Sequence, residues 1–248
     1  MIVATAVCPH PPLLLRELGG GLDPLAELRQ ECASAVEALA AAEPDVLVVV
    51  GGHDASGEHT EALAPVREFG GTGERVPRER TLPPSLGVAR RLLDTVGYRG
   101  RVEMLSVAWD ASAAEAEELG RRIVAGRTGR IGLLVLGDGS ARRGDRALVY
   151  PDERAFAFDE EVRRCLSEGD REGLLRLDPA LAAELMAQGR AALQVMAHAH
   201  ALAADATASD ATATATDADR GGPVRPRVLY ADDPFGVMYY VAVWPCAC

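Results

Sequence analysis

The chain has 248 residues, enough to bury a large core as one α/β domain or two small ones. Its net charge of -11 argues against a general nucleic-acid binder, because nothing offsets phosphate repulsion. No apolar run approaches the length needed to cross a bilayer, and no positive n-region precedes the short apolar N-terminus. A cytoplasmic protein with a small-molecule substrate, no membrane and no nucleic acid is therefore expected.

In chain order, apolar β-like runs alternate with longer helical patterns. Strands are predicted at Ile2–Val7, Val46–Val50, Val102–Val107, Ile131–Leu136, Val228–Tyr230 and Val237–Val243. The inner runs are nearly continuous Val, Leu and Ile, as strands buried on both faces require. Helices are predicted at about Pro24–Ala42, Pro84–Val96, Ala111–Ala125, Glu153–Ser167 and Pro179–Ala203. Asp23-Pro24 and Asp178-Pro179 read as an N-cap followed by proline at the first helical position, and Gly97 and Gly169 as helix stops.

This alternation predicts a single three-layer α/β domain over residues 1–248, with a mostly parallel sheet and helices on both faces. The turn cluster Ala231 to Gly236 makes the last two strands an antiparallel hairpin. Gly70 to Pro84 reads as a surface loop. The Ala/Thr/Asp tract at 203–226 lacks apolar bulk and reads as a disordered insertion. Five scattered cysteines, Cys8, Cys32, Cys165, Cys246 and Cys248, fit a reducing compartment better than a disulfide framework.

Chemistry-bearing residues gather after the strands. Cys8-Pro9-His10-Pro11-Pro12 follows the first strand, and its prolines hold the chain extended and fix the direction of His10. Gly51-Gly52-His53-Asp54 ends the second, with glycines that permit a close backbone approach. Turns beyond strand C-termini are where open α/β sheets bind ligands, and histidine is the commonest metal ligand. His10 and His53 are thus candidate ligands of one ion, with Asp54 a candidate acceptor that would orient the imidazole. His53 and His59 could both ligate, but the glycine context favours His53, and His59 reads as solvated. Gly137-Asp138-Gly139-Ser140-Ala141-Arg142-Arg143 follows the fourth strand as a candidate active-site loop. There Asp138 could polarise a water, and Arg142 or Arg143 could hold an anion. Glu184 and Gln188 share a helix face, and either could complete the ligand set; two histidines with one carboxylate are the signature of non-haem Fe(II) oxygen chemistry. His198 and His200 read as exposed near a helix C-terminus. No Gly-x-Ser-x-Gly elbow, HExxH or CxxC is present.

Together the strand-His-Pro start, the Gly-Gly-His strand end, the Gly-Asp-Gly-Ser loop and the closing Pro234-Phe235-Gly236-Val237-Met238-Tyr239-Tyr240 resemble the class III extradiol dioxygenase superfamily. That superfamily includes ring-cleaving catechol dioxygenases and non-oxygenase Memo-like proteins. The resemblance spans most of the chain outside the Ala/Thr tract and is nearest its actinobacterial branch. It implies Fe(II), with Zn(II) or Mn(II) as alternatives, held by His10, His53 and a glutamate whose nearest counterpart is Glu184. It also implies an aromatic diol as substrate and is compatible with a homodimer. Ring-cleaving members carry a histidine in the loop after the fourth strand, where this chain has Ala141 beside Arg142. An arginine stays protonated and cannot replace that proton chemistry. A metal-dependent hydrolase or lyase and a non-enzymatic binding protein therefore stand as alternatives.

Overall fold

The computed structural model describes residues 1–15, 23–60, 77, 80–147, 149–210 and 225–245. Seven strands form one sheet: β1 (Ile2–Cys8), β2 (Val46–His53), β3 (Gly57–Glu58), β4 (Val102–Ala108), β5 (Ile131–Leu136), β6 (Arg227–Asp232) and β7 (Tyr239–Pro245). Their order is β3-β4-β2-β5-β1-β7-β6. The four central strands, β4, β2, β5 and β1, are parallel. At one edge β7 returns antiparallel to β1 and carries β6, the predicted C-terminal hairpin. At the other, β3 pairs antiparallel with β4, a two-residue strand too short to show any alternation in the sequence.

The helices are α1 (Ala26–Ala41), α2 (Pro84–Thr95), α3 (Ala113–Val124), α4 (Arg154–Glu168), α5 (Arg171–Leu175), α6 (Pro179–Glu184) and α7 (Arg190–Asp210). They cover both faces. Val46, Val48 and Val50 of β2 join the core cluster that holds residues of α3, α4 and α7, while Leu47 and Val49 join the one beneath α1 and α2. Successive side chains of a strand point to opposite faces, so a run apolar at every position is what two covered faces demand.

Several local expectations change. The helix predicted at Pro179–Ala203 is two, with Met186 at φ 55 and Gly189 between them. Asp178 caps α6 as predicted, accepting from Ala180 N at 2.8 Å. Asp23 does not cap α1: its carboxylate pairs with Arg29 at 2.5 Å and Leu25 holds the N-cap position. Gly97 and Gly169, at φ 70 and 71, end α2 and α4 as expected. Helix α7 runs on to Asp210, into the tract read as disordered, because alanine is the strongest helix former. The rest of that tract, residues 211–224, most of the Gly70–Pro84 loop, and Cys246 and Cys248 lie outside the described residues. Among the described residues no helix is long and apolar enough to cross a membrane.

Candidate functional site

The C-terminal ends of the parallel strands open into a cleft of about 800 Å³ lined by His10, His53, His59, Trp109, Asp138 and Gln188, with Leu82 to Ser85 along one side. Strand order explains the grouping. Because β5 lies between β1 and β2, Asp138 emerges between the two histidines. The strands bearing His10 and His53 are not neighbours; they stand two spacings apart, roughly 10 Å.

His10 is 7% exposed and stacks on Trp109, with ring centroids 5.7 Å apart and planes 19° from parallel. Asp138 Oδ1 accepts the His10 backbone N–H at 2.8 Å. The same oxygen is 3.4 Å from His10 Nδ1, but the geometry is not that of a hydrogen bond, and Nδ1 is enclosed without a partner among the described residues. That leaves Nε2 as the ring nitrogen a ligand could reach. Burial raises the pKa of Asp138, and the charge and backbone N–H of His10 pull it back.

The loop carrying Asp138 is held from beneath by a buried carboxylate. Asp159 of α4 accepts from Ser140 N at 2.9 Å, Ser140 Oγ at 2.5 Å and the Tyr240 hydroxyl at 3.0 Å, and pairs with Arg143 at 3.2 Å. Burial raises the pKa of Asp159, and these donors oppose the rise. Arg143 is thus a structural cation, also bonded to Asp233 and lying over the Phe156 ring at 4.4 Å. From the other side, Gly189 N donates to Asp138 O at 2.7 Å. A Cβ on Gly137 would lie 2.6 Å from Gly189 Cα, so two glycines allow this approach and bring Gln188 to the cleft.

The glycines ending β2 serve a different purpose from the one anticipated. A Cβ on Gly52 would lie 1.7 Å from the Trp109 ring, so Gly52 makes room for the indole rather than for a ligand. Trp109 N also donates to His53 O at 3.0 Å. Arg190 is buried and holds the backbone of this turn, donating to Trp109 O at 2.9 Å and Ala111 O at 2.6 Å.

His59 belongs to the cleft rather than to open solvent. Strand β3 brings it there, with His59 N donating to Met104 O at 2.9 Å. Its ring meets that of His53 edge-on, centroids 6.4 Å apart. Burial, and then the neighbouring His53, lower its pKa.

Two predicted site residues lie elsewhere. The Glu184 carboxylate pairs with Arg154 at 2.8 Å, with both side chains 56% exposed. The break before α7 separates it from the cleft, where Gln188 sits instead. Arg142 donates to the backbone oxygens of Tyr150 and Glu184 at 2.8 and 2.9 Å and does not line the cleft. Asp54 is exposed at the rim, and the carboxylate that meets a cleft histidine is Asp138. His200 is buried: its Nε2 meets Thr5 Oγ1 at 2.8 Å, its ring packs against Trp244, and α7 continues past it. Sequence reasoning missed Trp109, although it follows an apolar strand just as His10 and His53 do.

Among the described residues, Glu161, Cys165 and Asp170 are the one group of three His, Cys, Asp or Glu residues whose ligand atoms all lie within 4.8 Å of one another; the cleft residues do not form such a group. The Arg164 guanidinium already bonds Glu161 and Asp170 at 2.7 Å each and lies 3.4 Å from Cys165 Sγ, so a cation's place there is taken.

No family model matches the chain, and no curated protein matches it. Among solved structures it is similar to an uncharacterized protein, JW3007, from Escherichia coli K12, with 15% identity and a TM-score of 0.49 over 97% of this chain and 98% of that one. A likeness of that degree carries no argument about what the cleft does.

Proposed function

We propose that the chain is a divalent-metal-dependent enzyme acting on a small aromatic diol or a related molecule, a non-haem Fe(II) dioxygenase-like protein of the kind its sequence resembles. The observation that carries this reading is the gathering of His10, His53 and Asp138, from the ends of three adjacent strands, into one cleft. The donor types suit a divalent ion, and their ligand atoms, which do not all lie within 4.8 Å of one another, would have to draw in to hold it. Histidine ligands commonly donate their second ring nitrogen to a carboxylate, and the enclosed His10 Nδ1 beside Asp138 needs only a small turn to do so.

His10 and His53 would hold the ion, which when bound would polarise a substrate oxygen or acidify a bound water. The chain's own residues do the rest. Asp138 fixes the peptide of His10, and Trp109 backs its ring with an apolar wall suited to an aromatic substrate. Leu82, Pro83 and Pro84 line the cleft with groups that do not compete for the metal.

A metal-dependent hydrolase or lyase is a second reading favoured by a specific observation. With Glu184 tied to Arg154, the further donors in the cleft, His59 and Gln188, are neutral. Neutral imidazoles around an open position are the arrangement of water-activating zinc sites.

The test is anaerobic loading with Fe(II), Zn(II) or Mn(II), with bound metal measured in wild type, His10→Ala and His53→Ala. Near-stoichiometric metal, lost in both variants, is expected. Oxygen uptake with catechols by the Fe(II) protein supports the dioxygenase reading. Turnover of ester or carbon–carbon substrates without oxygen supports the second. Absence of metal binding in wild type overturns both and leaves a binding module.

A further inference from the structure

Strand β6 stands at one edge of the sheet. β7 pairs with one side of it, and its outer backbone N–H and C=O groups bond to nothing among the described residues. Such an edge is a template for another strand, and folds usually guard it with proline, charge or a bulge. Here the middle, Val228, Leu229 and Tyr230, is apolar and half-buried, and the charges stand at the two ends. Arg227 and Asp232 are exposed and opposite in sign, and their side chains have no hydrogen-bond or ion-pair partner among the described residues.

β6 does carry a bulge, between Val228 and Tyr230, and the bulge resets which side chains share a face. Arg227 lies opposite Val243 and Asp232 opposite Tyr239, both of the cluster beneath α1 and α2. Val228 and Ala231 lie opposite Ala242 and Tyr240, of the other cluster. In a regular strand Arg227 and Asp232 would point to opposite faces; the extra residue puts them on one.

Directly opposed residues of an antiparallel ladder share a face. Two copies of β6 related by a two-fold axis meet this condition when Arg227 faces Asp232 of the second copy and Val228 faces its Ala231. A slip of one residue either way opposes side chains of different faces. The register that matches the faces is also the one that joins opposite charges, once on each side of the axis.

We infer that β6 is a self-association surface, on which a second copy of this chain pairs antiparallel about a two-fold axis and joins two seven-stranded sheets into one. The inference does not depend on any reading of the cleft.

The experiment measures the mass of the full chain by sedimentation equilibrium, from micromolar to submillimolar concentration, with a reductant present so that thiols do not join copies. It compares wild type, Arg227→Asp, Asp232→Arg and the double variant carrying both, each first checked for folding by circular dichroism. Wild type should form a dimer. Each single change sets like charges opposite each other on both sides of the axis and should weaken association at least about 10-fold. The double variant restores opposite charges and should return towards wild-type association, which a general loss of fold would not do. A wild type that stays monomeric throughout overturns the inference. A dimer that neither single change weakens also overturns it, because the copies then meet on another surface. Single variants that dissociate without recovery in the folded double variant overturn it as well, because the two charges then do not face each other.

Discussion

The backbone N–H of His10 donates to Asp138 Oδ1 at 2.8 Å across 128 residues of sequence. This bond ties the turn after β1 to the loop after β5 and fixes the base of one candidate ligand. Asp138→Ala removes the acceptor and leaves a buried N–H unpaired. It is expected to lower metal affinity about 10–100-fold, with Asp138→Asn losing less because its amide oxygen still accepts. Titration calorimetry with Zn(II) checks the order; equal affinity in all three proteins would refute a supporting role for Asp138.

Gly189→Ala tests the contact that brings Gln188 to the cleft. Its Cβ would stand 2.6 Å from Asp138 O and 3.1 Å from Gly137 Cα, and both are backbone atoms that cannot swing away. Overpacking of this kind costs about 1–3 kcal/mol, read as a lower urea midpoint with an unchanged slope.

Asp159→Ala should be the most damaging of these changes. It strips acceptors from Ser140 N, Ser140 Oγ and Tyr240, and an ion-pair partner from Arg143. Breaking a buried pair on one side costs about 3–5 kcal/mol. Denaturant unfolding measures it, and a loss below about 1 kcal/mol, far outside that range, would mean the network is not holding the loop.

Gly52→Ala should expel Trp109 from its place beside His10, since the new Cβ would fall 1.7 Å from the indole. The chain has two tryptophans, so a Trp244→Phe background lets Trp109 report alone. A red-shifted emission is expected, together with weaker metal binding. An unshifted spectrum would show that the ring is not packed against Gly52.

His200 predicts an acid-side loss of stability. Burial, then Arg171, lowers its pKa from 6.5 to about 4. Between those values the unfolded chain takes up a proton that the folded chain refuses. The stabilisation is therefore complete above about pH 6.5 and declines as pH falls, by about 2 kcal/mol at pH 5 and about 3 below pH 4. Urea midpoints at pH 7, 6 and 5 should fall more steeply for wild type than for His200→Gln. Parallel slopes would assign the loss to other groups.

Much of the architecture could be read from residue order. The alternation of β-branched runs with helical patterns marked the central strands, and Ala231 to Gly236 marked the hairpin turn. These are local properties: strand burial shows as continuous apolar character, and turns show as Pro, Gly and Asp. His10, His53 and Asp138 were legible for a related reason, because residues just past parallel strands share the end of the sheet where ligands bind.

Side-chain destinations were not local. Glu184 and Gln188 are four residues apart and would share a face of an unbroken helix, yet Met186 turns left-handed between them and sends Glu184 to Arg154. Arg142 and Arg143 are adjacent and look alike in the sequence, but one bonds backbone carbonyls and the other a buried carboxylate. His59 looked solvated because the two-residue strand just before it carries no periodic signal. Short-range polarity and turn chemistry thus settle which central strands form and where the binding edge of the sheet lies. Long-range packing settles the rest: β5 stands between β1 and β2, His59 turns back to Ser106, and Glu184 leaves the site. Each of these depends on contacts between segments distant in sequence, whose energies no local pattern encodes.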